Sequence, residues 1–296
     1  MGTLVAMRYP TKLALGAADH TYVKCANGGK AWSCWGGKTS GTELRRGDGS
    51  TNRADAIAGH DEKAGIRCYL VNGVCHQCAN RILLPASSTV RGARGYGVSE
   101  MRFGTYGRPR GRGIFRHCVA PFNQYLGVTG DLPECLAAMP AAQIPGGARE
   151  SRPSAQYGPE NDYLNQVLKV YGQRVTDPDL GIQFDRSNLV EFMVTLFDLK
   201  LEYNIGGAVG DRVLGVLRDL RVRLENSQID IEEALGHGKI KPREYVEESD
   251  RLTVGFQKET TGLLNPDQFA AFFDLKPGEF VGLADPQIAE PVFFDS

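Results

Sequence analysis

Val71-Asn72-Gly73-Val74-Cys75-His76-Gln77-Cys78-Ala79-Asn80-Arg81-Ile82-Leu83 is the stretch that decides how the rest of this chain is read. The apolar run over residues 65–71 has strand composition and ends at the Asn72-Gly73 turn signal. The pattern then changes, and residues 74–84 predict a short helix stopped at Pro85. A cysteine therefore opens a helix directly behind a tight turn. The first turn of a helix carries unpaired backbone N–H groups and the positive end of the macrodipole. A thiol held there is expected to ionise below its usual value of ~8.5 and to be a good nucleophile at neutral pH. The same N–H groups suit the oxyanion of an attacked carbonyl. The other reading is a buried structural cysteine, which is common for unpaired thiols. A partner base decides between the two.

Outward from this segment, the N-terminal part is glycine-dense with short apolar runs. Residues 20–24 and 31–35 predict two short strands separated by the Asn27-Gly28-Gly29 turn. Residues 89–96 and 98–106 read as further strands. In the other direction, residues 137–154 (Ala-Ala-Met-Pro-Ala-Ala-Gln-Ile-Pro-Gly-Gly-Ala-Arg-Glu-Ser-Arg-Pro-Ser) have the composition of a linker. Beyond them the apolar residues shift to helical spacing. Leu189, Phe192, Met193, Leu196, Phe197 and Leu199 form one stripe, and Val209, Val213, Leu214, Val216, Leu217, Leu220 and Leu224 form the next. Residues 242–264 and 266–273 predict two more helices, the second with Asn265 as N-cap and Pro266 in its first turn. The expectation is an α+β protein in three parts. Residues 1–136 form a basic, glycine-rich domain with a small antiparallel sheet and the cysteine-bearing helix. Residues 137–180 form a linker or long loop, and residues 181–296 an acidic, mostly helical domain.

The composition is that of a globular chain: 296 residues, 42% hydrophobic and 23% charged, which leaves no room for a collagen-like, coiled-coil or disordered reading. No apolar run reaches the ~18–20 residues of a membrane helix. The first twenty residues lack the basic-then-apolar pattern of a secretory signal, so the expected location is cytoplasmic. Seven cysteines, an odd number, suit reduced thiols better than a disulfide framework. A net charge of −1 conceals an asymmetry. Residues 1–120 carry 18 Lys+Arg against 7 Asp+Glu, a balance of +11, and the remainder carries 16 against 28, a balance of −12. The two parts are expected to attract each other, with contacts that salt loosens wherever they are exposed. The helical domain also offers a surface for a protein partner.

Five histidines are available as a base. His76 follows Cys75 directly, and neighbours on a helix point about 100° apart, so it is poorly placed. His237 lies between two glycines in the acidic part. His20 opens an alternating apolar segment and is the first choice. His60 sits in the polar run Gly59-His60-Asp61-Glu62-Lys63, read as a loop, and His117 follows the cysteine, the order of unpermuted papain.

The segment His20-Thr21-Tyr22-Val23-Lys24 resembles the strand that carries the catalytic histidine in permuted papain-like enzymes. The hairpin through Gly28, Gly29, Gly36 and Gly37 is similar to theirs, as is Cys75 on a later helix with Ala79-Asn80 behind it. That group is the circularly permuted branch of the NlpC-type superfamily, with the lecithin–retinol acyltransferases and the deSUMOylating isopeptidases. The resemblance covers residues 15–90 at most, and Val74 stands where the family often has Asn. It implies a papain-like arrangement with Cys75 as nucleophile and His20 as base. Ser33 or Asn27 would be the orienting polar residue. The implied reaction is hydrolysis or acyl transfer on an amide, isopeptide or ester of a peptide or acyl substrate, through a thioester and without a cofactor.

Rival readings rest on other residues. Cys34, in Trp32-Ser33-Cys34-Trp35, lacks a helix start to activate it. Cys75 and Cys78 form a C-x-x-C pair that would suit a dithiol redox protein, but the surrounding βαβ alternation is missing. No second C-x-x-C supplies the remaining ligands of a zinc site, so no metal is expected. Arg108, Arg110 and Arg112 among glycines and a proline form a basic loop with no interleaved aromatic platform, which disfavours single-stranded nucleic acid. A non-enzymatic protein that docks partners on its basic face is the alternative from a different class. Limited proteolysis is expected to cut first between residues 137 and 180. Initial cleavage only elsewhere would displace the boundary.

Overall fold

The computed structural model describes residues 2–11, 18–33, 38, 40–63 (backbone alone at 60–63), 69–108, 163, 166, 167, 170 and 185–284. Cys34, Gly36, Gly37, Cys68, Arg110, Arg112, His117 and almost all of residues 137–180 lie outside this set.

Four strands form one antiparallel sheet: β1 (Gly2–Pro10), β2 (Asp19–Cys25), β3 (Ala31–Trp32) and β4 (Thr42–Gly49), in the order β3-β2-β1-β4. The central strand β1 is buried continuously from Leu4 to Met7, as a strand covered on both faces must be. Its register with β2 pairs Leu4 with Cys25, Ala6 with Val23 and Tyr9 with His20. Paired residues share a face, so Leu4, Ala6, Val23 and Cys25 line one side while Tyr9, His20, Met7 and Tyr22 line the other. The hairpin expected around Asn27-Gly28-Gly29 is present, with Gly28 and Gly29 both at positive φ. The edge strand β4, Thr-Glu-Leu-Arg-Arg-Gly-Asp-Gly, has no apolar alternation to announce it, and its charges suit an edge that must not pair with another chain.

Helix α1 (Thr51–Lys63) follows the sheet, so the polar run around His60 continues a helix rather than forming a loop. Helix α2 (Cys75–Leu83) lies on the first face of the sheet. Its Cys78, Ala79, Ile82 and Leu83 pack with Leu4, Ala6, Val23 and Cys25, at the i, i+1, i+4, i+5 spacing of a helix stripe. Pro85 falls in the single 3-10 turn Leu84–Ala86 that ends it. Residues 69–71, read as the end of a strand, instead form a turn closed by the Leu70 N–H on the Gly73 carbonyl at 2.8 Å. Residues 96–103, read as strand, are helix α3 (Tyr96–Phe103). All eight are buried, so no apolar stripe distinguishes a helix from a strand there.

Four helices follow as their periodicity predicts: α4 (Arg186–Ile205), α5 (Asp211–Gly236), α6 (Pro242–Thr260) and α7 (Pro266–Phe273). The Asn265 side chain accepts from the Gln268 N–H at 2.9 Å, the expected N-cap of α7. One apolar cluster spans both parts, separate from the one between α2 and the sheet. Val98, Met101 and Phe103 belong to the same cluster as Phe192, Phe197, Leu220, Phe256 and Phe273, and Tyr163 and Val167 from the 137–180 stretch join it. At Gly97 a Cβ would meet the Phe273 backbone at 2.3–2.8 Å, so α3 approaches the end of α7 as only a glycine permits.

Charge also joins the parts, but not on the surface. Arg102 and Arg108 meet Glu232 from α5 at 3.4 and 2.9 Å, Arg108 also pairs with Glu225, and Arg221 holds Glu225 at 2.8 Å. All five side chains are fully buried. A second pair, Lys200 with Glu100 at 3.0 Å, has the opposite polarity. Removing one partner of a buried ion pair leaves an uncompensated charge and costs about 3–5 kcal/mol. Glu225→Ala, which strips Arg108 and Arg221 of a carboxylate, is expected to lose that much in urea unfolding. Because the network is sealed from solvent, the salt-loosening expected of an exposed contact does not extend to it: 1 M salt should leave its contribution nearly intact.

Candidate active site

Gly73 lies two residues before Cys75 because the side chain behind it folds back: a Cβ at 73 would meet the Gln77 Cβ at 2.9 Å. Gln77 uses that space to accept the Val74 N–H through its Oε1 at 3.0 Å. Val74, the N-cap, offers no side-chain acceptor, and Gln77 at N3 satisfies the helix start instead. Leu70 adopts φ +62, a strained conformation for a branched residue, and its carbonyl is held by the Tyr245 hydroxyl at 3.1 Å.

Cys75 thus sits at the first position of α2, against the start of β2. Its thiol points to the Asp19 carbonyl at 3.9 Å. Burial pushes the thiol up to about 11, although the Thr21 backbone and hydroxyl and the His76 amide pull the other way. The sequence reading placed this group below its usual value. Helix-start polarity is present, but desolvation of a sealed thiolate outweighs it. In this state Cys75 is a neutral thiol.

The structure brings His20 and Ser33 together: the ring Nε2 and the Ser33 Oγ are 3.1 Å apart. His20 is 1% exposed, and its Nδ1 has no hydrogen-bond partner among the described residues. The ring packs beside Tyr9, with centroids 4.9 Å apart, and Tyr22, at 6.5 Å. Burial, and then the nearby His76, lower His20 to about 4, so it is neutral at physiological pH and able to accept a proton. No hydrogen bond joins the His20 ring to the Cys75 sulfur. The thiol lies beside the backbone of the residue preceding His20, and the ring leaves β2 from the face opposite the α2 stripe.

Three further residues complete the surroundings. His76 contacts the Asp19 carbonyl through Nε2 at 3.0 Å and Ser99 Oγ through Nδ1 at 2.7 Å, and burial lowers it to about 4. The Asp19 carboxylate receives Arg8 Nη1 at 3.2 Å and the Arg94 N–H at 3.0 Å. Asn80 accepts the Val90 N–H through Oδ1 at 2.8 Å and donates to the Thr105 carbonyl at 2.7 Å, bracing α2. Sequence reasoning passed over Asp19 and Arg8, whose significance is a matter of register across β1 and β2. It considered His76 only as a base. Cys75 and Cys78 are not in a disulfide, and among the described residues no group of three His, Cys, Asp or Glu side chains is arranged to hold a metal ion. No helix among those described is long and apolar enough to cross a membrane.

No protein-family model matches this chain, and comparison with curated proteins and with solved structures finds no match either.

The two buried histidines set a pH dependence. Each has a folded value near 4 against 6.5 for the free side chain, so the unfolded chain binds more protons between those values. Their contribution is full above about 6.5 and is lost as pH falls through 4, at about 3 kcal/mol apiece. Asp250, which burial raises to about 6 while it accepts the Leu283 and Ala284 N–H groups, titrates in the opposite sense and offsets one of them. Urea unfolding at pH 7 and pH 4.5 should show a net loss of stability on acidification, steeper in Asp250→Asn.

Proposed function

We propose that this protein is a cysteine-dependent hydrolase or acyl transferase acting on an amide, isopeptide or ester, with Cys75 as nucleophile, His20 as base and Ser33 as the residue that orients the imidazole. The observation that carries this reading is the asymmetry of the His20 ring. Nε2 is engaged by Ser33, while the buried Nδ1 has no partner among the described residues and belongs to the residue next to the one the Cys75 thiol touches. A base held from behind by a hydroxyl and left open at its other nitrogen fits the logic of nucleophile, base and orienter. The papain-like character of the α2–β2 pair, and the division of the chain into a catalytic and a helical domain, belong to the same proposal.

The raised thiol and the neutral imidazole favour general-base catalysis over a preformed thiolate–imidazolium pair. His20 and Cys75 lie on opposite faces of β2, so the Cys75 S–H, turning from the Asp19 carbonyl, passes its proton to His20 Nδ1 through an intervening water as the sulfur attacks the substrate carbonyl. The tetrahedral intermediate collapses, and the amine or alkoxide leaves with the proton from His20. A thioester remains. Water or a second nucleophile, deprotonated by His20, then releases the acyl group, and the proton returns to the Cys75 sulfur. Backbone N–H groups at the start of α2 are the nearest donors for the oxyanion.

Incubation with p-nitrophenyl acetate is expected to place an acetyl group on Cys75, located by peptide mass spectrometry. Cys75→Ser and His20→Ala should each reduce labelling by about 10²-fold or more. Cys78→Ser should change it by no more than a few-fold. An unlabelled Cys75 would favour the non-enzymatic reading, in which its burial is structural, and equal losses from Cys75→Ser and Cys78→Ser would favour the dithiol.

A further inference from the structure

His76 hydrogen-bonds the element bearing the proposed nucleophile to the element bearing the proposed base without itself being either. Its Nε2 is 3.0 Å from the Asp19 carbonyl, and a carbonyl only accepts, so Nε2 carries the proton. In the neutral ring Nδ1 is then an acceptor for the Ser99 hydroxyl, 2.7 Å away on α3, whose single proton it shares with the Tyr96 carbonyl at 2.9 Å. The Asp19 carbonyl is also the group that receives the Cys75 thiol. From its other side Asp19 is fixed by Arg8 on β1, by the Arg94 amide at its carboxylate, and through its own N–H by the Arg94 carbonyl at 2.9 Å.

The connectivity gives this bond its meaning. Cys75 and His76 are consecutive on α2, and Asp19 and His20 are consecutive on β2. A hydrogen bond from His76 to Asp19 therefore closes a short loop whose remaining corners are the thiol and the proposed base. Displacement of a reacting group by about 1 Å can cost 10²-fold in rate. We infer that His76 is a positioning residue: through the Asp19 carbonyl it fixes the start of β2, and so the backbone from which the His20 ring leaves, relative to the Cys75 thiol. The inference rests on the assignment of Cys75 and His20 above. The ionisable groups around His76 are Asp19 and His20 on β2, Cys75 on α2, and Tyr96 and Glu100 on α3, with Arg8 on β1 reaching Asp19 from outside. Ser99, with its hydroxyl on Nδ1, orients the ring within them.

The test is the burst rate of Cys75 acetylation by p-nitrophenyl acetate across pH 5–8, for the intact protein and for His76→Ala, His76→Gln, Ser99→Ala and His20→Ala. His76→Ala is expected to slow acetylation by about 10–100-fold, in keeping with a displaced base. Its acid limb should also move up toward the free-histidine value of about 6.5 as water reaches His20. His76→Gln keeps an N–H donor for the Asp19 carbonyl but cannot become charged. It should recover to within about fivefold of wild type with the acid limb restored. That recovery separates positioning from loss of the imidazole itself, which both substitutions remove. A His76→Ala rate equal to wild type, or a folded His76→Gln as slow as the alanine variant, overturns the inference. If His76→Ala does not fold, Ser99→Ala decides: a rate within twofold of wild type counts against positioning, and a fall of about 3–10-fold supports it. Failure of the catalytic assignment has a different signature, in which His20→Ala itself acetylates at the wild-type rate.

Discussion

Five charged side chains shut away from water tie this molecule together. Arg102 and Arg108 leave α3 and the segment behind it and end among Glu225, Glu232 and Arg221 of α5, with no solvent at any of them. Such a network is a poor source of net stability, because desolvation offsets most of the Coulomb attraction. Its effect is selectivity. A guanidinium so deeply buried tolerates few arrangements, and one in which α3 slid along α5 would leave it facing apolar side chains. Arg221 already spends an N–H on the Met101 thioether at 3.6 Å, which shows how few acceptors the site holds.

From that anchor the path to the candidate site is short. Helix α3 is held against α4 by Lys200, whose ammonium reaches both Glu100 and the Gly97 carbonyl at 3.0 Å. Ser99 of the same helix meets His76, and Gln77 donates to Ser99 and to the Gly104 carbonyl. The first turn of α2 is thus clamped between α3 and the start of β2. The polar side chains there are buried and interlinked, a condition that fixes geometry at the cost of demanding a partner for almost every atom. His20 Nδ1, lacking one among the described residues, departs from that rule.

Much of the fold was readable from residue order. Helices α4 to α7 carry apolar stripes on otherwise charged sequences, and the 27–29 turn with its flanking strands follows from glycine chemistry. The elements that escaped lack contrast. Strand β1 is buried on both faces from Leu4 to Met7, and edge strand β4 is polar apart from Leu44. Helix α1 buries little beyond Ala54, Ile57 and Ala58 among its described side chains, and α3 is buried on every side, so none of the four announces its period. At the site, the cysteine at a helix start was legible, while Ser33 was only one of two candidates, with Asn27, for the polar residue beside His20. The direction of the thiol's ionisation was not, because it depends on how completely the packing of α2 against the sheet excludes water from Cys75. The grip on Asp19 was equally hidden, since it joins Arg8, His76 and Arg94 across a register that no spacing in the sequence announces.

Two tyrosine hydroxyls carry a consequence for the order in which the molecule is completed. Tyr69 donates to the Leu283 carbonyl at 2.8 Å and Tyr245 to the Leu70 carbonyl at 3.1 Å, joining positions 214 and 175 residues apart. Both flank the turn that introduces Cys75. On a ribosome adding ~5–20 residues each second, the sheet and α2 have emerged well before the helices that finish their surroundings. Contacts of such long range are made late in folding, after the loop-closure entropy has been met. The strained turn at Leu70 therefore cannot reach its final form before the segments that carry Tyr245 and Leu283 have emerged, although Cys75 and the elements packed against it are complete much earlier.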